Sequence, residues 1–140
     1  MNVRWVDSFK EYDALARWWT DRGDVAPPAL LLQAADGFAV QHEDKDLVAG
    51  WIYLTQHGIV GIVEWTVSNP ANNQPDLVSM AVDMLYDFMG RHARAQGCQV
   101  LFSSTKEHSS LSRRLLKVGW TQCIGEPHAM FVKSLPPCPM

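Results

Sequence analysis

The apolar positions of this chain follow two different periods, and the switches between them mark its elements. From Ser8 to Arg22 the spacing is helical. Tyr12, Leu15 and Trp19 share one face, Ser8 and Glu11 fit a capping box, and Gly23 is a stop. Ala26 to Leu31, with Pro27-Pro28, is a turn or extended segment. From Gly37 the period drops to two. Gly37–Glu43 alternates as a strand; Leu47–Thr55 is almost wholly apolar and so central; Ile59–Val67 is a third strand. The polar triplets Asp44-Lys45-Asp46 and Gln56-His57-Gly58 separate them, which predicts an antiparallel meander with short hairpins.

Ser68–Pro75 is an Asn- and Pro-rich loop, and Pro75 suits the first helical position. A long helix follows over Asp76–Gln96. Leu77, Ala81, Met84, Leu85, Phe88 and His92 fall near one face, and Gly97 stands at the left-handed C′ position. Cys98–Ser104 is a fourth strand, reached from a helix and therefore a parallel crossover. Ser109–Val118 is a short helix with Leu111, Leu115 and Val118 inward; Ser109 or Ser110 is its N-cap, and Gly119 ends it. Thr121–Ile124 and His128–Leu135 are closing strands. The order α, β-β-β, α, β, α, β predicts an α+β, mixed α/β sheet. It forms one domain over residues 1–135, with a Pro-rich tail at 136–140.

Composition narrows the class. The chain has 140 residues, 47% of them apolar, which fits one domain with one core. Six Trp residues are enough for several to anchor that core and for one or two to line a binding surface. A net charge of -3 argues against nucleic acid as the main partner. Cys98, Cys123 and Cys138 show no CxxC spacing and read as reduced thiols of a cytoplasmic protein. The N-terminus carries charges where a signal peptide is apolar, and no apolar run approaches the ~20 residues that span a bilayer. The five His are scattered, without the i, i+4 spacing of a helical metal site, so no metal is expected.

Glu64 is the sharpest catalytic candidate, being the one acid inside the apolar run IVGIVEWTV. A carboxylate on a central strand is desolvated, which lifts its pKa toward the range of a useful base. The structural alternative is a solvent-facing Glu64, or one paired with a cation such as Arg94. His42, His57 and His128 are weaker candidates. Trp51, Tyr53 and Trp65 on adjacent strands form either an aromatic substrate wall or a core layer, with core the better reading for at least two of them.

The segments GFAV, VAGWIYLT and VEWTVSNP, the order of elements and the late helix LSRRLLKVGW together resemble the GNAT acyltransferases, and more narrowly the small GNAT-like proteins of phages and bacteria. The likeness covers roughly Gly37–Leu135 and rests on pattern and order. It implies transfer of an acetyl group from acetyl-CoA to a small-molecule or peptide amine. The family splays two neighbouring strands, and the cofactor's pantetheine arm pairs with the first, here Thr66, Val67 and Ser68. A backbone N–H near Val67 then polarises the thioester carbonyl. The pyrophosphate lies on the amides that open the next helix. By the same likeness Asn72, Asn73 and Gln74 are cofactor contacts, and Arg113 meets a phosphate. His108 stands where the family often places an Asn on the cofactor, and counts with Glu64 among the catalytic candidates.

The departures are as informative. The family's phosphate loop, Arg/Gln-x-x-Gly-x-Gly/Ala, is absent: no Gly, Lys or Arg occurs from Ser68 to Met89. Asp76 sits in the first turn, where it stabilises an empty helix terminus and repels an anion. Leu115 replaces a Tyr that often serves as general acid. The rival reading is therefore a GNAT-fold binding or interaction module without catalysis, with a blocked cleft and a homodimer or partner surface around exposed Trp residues. An unrelated α+β fold would instead put Val60–Val67 and Cys98–Ser104 on separate sheets, or antiparallel.

Overall fold

The computed structural model describes residues 1–105 and 109–122. The chain divides into two compact units, residues 1–104 and 105–140. In the first unit the backbone runs β1 (Asn2–Val6), α1 (Tyr12–Thr20), α2 (Ala29–Gln33), β2 (Asp36–His42), β3 (Lys45–Leu54), β4 (Val60–Ser68), α3 (Pro75–Ala95) and β5 (Val100–Ser103). The strands form one sheet in the order β1-β2-β3-β4-β5. The first three pairings are antiparallel, and β5 joins β4 in parallel. The mixed sheet is thus the expected one, and the parallel pairing of β4 with β5 removes the unrelated-fold alternative.

Strand alternation gives the sheet two buried faces. Ala39, Ala49, Trp51 and Val67 turn to one side, where they pack with Leu15 and Trp19 of α1 and Leu32 of α2. Phe38 and Gly50 turn to the other, against α3: the Phe38 and Phe88 rings are 4.9 Å apart, and a Cβ on Gly50 would lie 3.0 Å from Leu85. The buried stripe of α3 is Ala81, Leu85, Tyr86, Met89 and Ala93, rotated from the predicted Met84–Phe88–His92 line. The rotation carries Tyr86 under the sheet and brings the His92 imidazole to 3.0 Å from Asp36. Gly97 has φ 95° as its C′ position requires.

Three elements differ from the sequence reading. β1 was not anticipated, because an edge strand with Trp5 60% exposed shows little alternation of burial. Its Arg4 ties the sheet to the start of α1, with Nη2 at 2.6 Å from Glu11 and 2.7 Å from Asp46; the two carboxylates hold the guanidinium pKa above its usual value. The capping box expected at Ser8 does not form: the N-cap of α1 is Glu11, with no side-chain cap bond, and the side-chain bonds gather on Asp7 in the turn before it. Asp7 Oδ1 accepts from Phe9 and Lys10 N–H, and the Glu11 carboxylate accepts from Asp7 N–H, so α1 begins only at Tyr12. Ser8 is buried instead, accepting from the Trp51 indole at 3.0 Å. The segment after Pro28, read as a turn or extended, closes into the short helix α2.

In the second unit, α4 (Ser110–Lys117) is capped by Ser109, whose Oγ accepts from Ser112 N–H at 3.1 Å. The closing strands expected from Thr121 onward fall mainly outside the described residues, as do His108, His128, Cys123 and Cys138.

Candidate active site at the parting of two strands

The site follows from where β4 loses its second neighbour. β5 pairs with β4 from Val60↔Val100 to Val63↔Ser103 and stops. β4 continues through Ser68, and among the described residues only β3 pairs with its last residues, Val48 facing Ser68 and Ala49 facing Val67. Glu64–Ser68 therefore presents an open backbone edge. A sheet edge with unpaired N–H and C=O groups accepts an extended, amide-bearing ligand.

The geometry of that edge is fixed by a bulge. The register shifts by one residue between Ala49 and Trp51, and Trp65 absorbs the extra residue with φ 62°. A left-handed backbone under a bulky side chain costs on the order of 1–3 kcal/mol, and such positions cluster at functional sites. Beyond the bulge, Asn69 N–H donates to Leu47 C=O at 2.9 Å. Two-residue alternation then turns Val67 toward β3 and the Ser68 backbone toward the open side. Arg22 agrees with this: its Nη2 donates to Ser68 C=O at 2.9 Å and to Ser68 Oγ at 2.6 Å.

Glu64 stands at the apex, opposite Trp51 in the β3 register and on the α1–α2 face of the sheet. Its Oε1 accepts from Ser104 N–H at 3.1 Å and from Ser104 Oγ at 2.7 Å, so the carboxylate caps the end of β5. Neither alternative considered from sequence describes it, for it is partly buried and bonded to Ser104 rather than to Arg94. Burial raises its pKa, and the two Ser104 bonds oppose that rise without cancelling it. Beside it, Trp65 Nε1 donates to Tyr53 Oη at 3.0 Å, and Tyr53 donates to Leu31 C=O at 2.6 Å. Burial also raises the Tyr53 pKa, against the Trp65 bond, with Glu64 adding to the rise. Trp51 is fully buried core, Trp65 packs on that core, and Tyr53 is half-buried next to the acid.

On the opposite face Tyr86 Oη lies 2.9 Å from Thr66 Oγ1. Burial raises its pKa; the Thr66 and Ser103 hydroxyls oppose the rise and Glu64 adds to it. Hydroxyls and a carboxyl thus meet from both faces where β4 and β5 separate. Sequence reasoning did not single out Tyr86, because the predicted α3 stripe passed beside it. Arg22 was missed because nothing local ties it to Ser68, which lies 46 positions away.

The loop into α3 is held from within. Asn69 Oδ1 accepts from Ala71 N–H at 3.0 Å, and Asn72 Oδ1 accepts from Gln74 N–H at 2.9 Å. Asn72 thereby spends its acceptor on the backbone, while Asn73 and Gln74 are exposed. The Gln74 side chain, at the N-cap of α3, makes no cap bond; Pro75 follows it and Asp76 is in the first turn. Arg113 lies exposed on α4 in the second unit. Among the weaker candidates, His57 is exposed in its turn, and His42 is 3.8 Å from Glu43. No described helix is long and apolar enough to cross a membrane.

No family model matches the sequence, and no curated protein does. Solved structures do. An integron cassette protein from V. cholerae superposes with a TM-score of 0.68 at 11% identity, covering 94% of this chain and 92% of its own. An aminoglycoside N-acetyltransferase in complex with CoA gives 0.63 at 13% identity, covering 96% of this chain and 100% of its own. A ribosomal-protein-alanine N-acetyltransferase from Brucella melitensis gives 0.61 at 14% identity, covering 94% and 100%. At such identities the likeness is one of architecture, and with the bulged, half-open β4 it establishes that this chain has the GNAT acetyltransferase fold.

Proposed function

We propose that this protein is an N-acyltransferase of the cytoplasm that moves an acetyl group from acetyl-CoA to a small-molecule or peptide amine. The observation that carries the reading is the open edge of β4 after Val63↔Ser103, with Glu64 at its apex. The pantetheine arm lies along Thr66, Val67 and Ser68 and bonds the backbone groups of that segment that face away from β3, one of whose N–H groups polarises the thioester carbonyl. The amine comes from the α1–α2 face, past Tyr53 and Trp65. Glu64, directly or through water, takes its proton as the N–C bond forms. The tetrahedral intermediate then expels the thiolate, the C–S bond breaks, and the thiolate is protonated from the solvent side. Asn73, Gln74 and the free amides of the first α3 turn receive the pyrophosphate. Arg113 and His108 complete the proposed set.

The rival reading, a GNAT-fold module without catalysis, is supported by Asp76 in the first turn of α3, and exposed Trp5 on the edge strand is the self-association surface it would use. The open edge of β4 weighs against it, since that reading needs a blocked cleft. Isothermal titration with acetyl-CoA decides between them. The transferase reading expects saturable heat and an upward thermal shift; no heat and no shift at millimolar ligand would leave the binding module.

A further inference from the structure

A site for a cofactor that carries a pyrophosphate and a 3′-phosphate needs positive charge, and the loop and helix that should supply it contain no Lys or Arg from Ser68 to Met89. The fold brings one from elsewhere. Arg22 follows the C-terminus of α1 and reaches the last residue of β4, on the open edge described above. Both of its bonds come from one nitrogen, Nη2, and both acceptors are uncharged oxygens of Ser68. Among the described residues no carboxylate lies within ion-pair distance of it, and its side chain is exposed. A guanidinium is a planar fork suited to two charged oxygens. Here it holds a carbonyl and a hydroxyl through a single prong.

The surroundings favour an anion. Arg17 and Trp18 of α1 line a groove of about 470 Å³ whose other wall is Asn69, Pro70 and Ala71, the start of the loop into α3. Asp21 also lines it and offsets Arg17, which leaves Arg22, bonded to Ser68 next to the groove's Asn69, as a cation without a carboxylate partner among the described residues.

We propose that Arg22 is the cation of the cofactor site, exchanging the Ser68 carbonyl for the phosphates of CoA when the pantetheine arm pairs with β4. The inference rests on the acetyl-CoA reading given above. The exchange conserves hydrogen bonds: an amide N–H of the arm replaces Arg22 at Ser68 C=O, and Arg22 gains charge-assisted bonds in place of neutral ones. No covalent bond changes.

The test is calorimetric titration of the full chain with CoA and, separately, with phosphate-free pantetheine. Arg22→Met is expected to weaken CoA by about tenfold, the size of one charge-assisted contact, and to leave pantetheine unchanged or slightly tighter. Arg22→Lys should recover part of the loss by keeping the charge without the fork. CoA affinity unaltered or improved in Arg22→Met would overturn the assignment, and so would equal weakening of CoA and pantetheine. If the unsubstituted protein binds neither ligand, the acetyl-CoA reading fails first and this inference with it. Arg22 is exposed at a helix end, so unaltered thermal melting of the variants checks that folding is not being read.

Discussion

Glu64→Gln is expected to lower turnover by about 10²–10⁴-fold, the usual contribution of a positioned base, while acetyl-CoA affinity stays within about twofold. The amide keeps an oxygen where Ser104 N–H and Oγ donate, so β5 remains capped and only proton acceptance is removed. The pH profile separates this from damage to the fold. Because burial raises the Glu64 pKa above its ordinary 4.5, kcat/KM should climb as the pH passes that raised value. The variant should lack that limb. The stability effect has the opposite sign. A group whose folded pKa is raised keeps its proton longer in the folded than in the unfolded chain, so its contribution is complete below pH 4.5 and declines as pH rises through the folded pKa. Glu64→Gln should therefore melt no lower than the parent at pH 7, and its advantage should shrink on acidification. Turnover equal to the parent's would remove Glu64 from the mechanism.

Trp51→Ala should cost about 3–5 kcal/mol, the range for truncating a fully buried aromatic. Trp51 is 0% exposed and its ring centroid lies 5.9 Å from that of Trp19, so its loss opens a cavity between β3 and α1. The site is closed against repair. Its indole N–H is committed to Ser8, and Gly37 is packed so tightly on it that a Cβ there would lie 2.5 Å from Nε1. Gly37→Ala should itself destabilise by about 1–3 kcal/mol through overpacking. A urea titration measures both as a fall in midpoint at constant slope. An unchanged midpoint for Trp51→Ala would mean that the cavity collapses and that Trp51 is not the centre of this face.

The meander, α3 and the parallel β5 were legible because their periods are long and their punctuation is strong: Pro75 and Gly97 bracket α3. Glu64 was legible as one acid in an apolar run. What escaped depends on contacts distant in sequence. Ser8 looked like a helix cap until Trp51, 43 positions later, proved to need a buried acceptor. The Trp65 bulge leaves no trace in composition, since a left-handed residue is normally read from Gly or Asn. Tyr86 needed the true rotation of α3, which a small error in phase conceals. The phosphate loop is a case of a different kind. Its missing charge is a local fact of sequence, whereas Arg22, the cation proposed above for that site, comes from another element.

The sheet order β1-β2-β3-β4-β5 follows the chain, and this has a consequence for its birth on the ribosome. The antiparallel hairpins close over short separations, so β2 to β4 can pair once Ser68 has emerged. The parallel seam cannot: Val60 must wait for Val100, with all of α3 between them. Until then β4 carries one bare edge along its outer side, and Glu64 has no Ser104 to cap. The apex of the cleft is thus among the last parts of this unit to take shape, and the nascent chain spends that interval with the whole outer edge of β4 open to unwanted pairing.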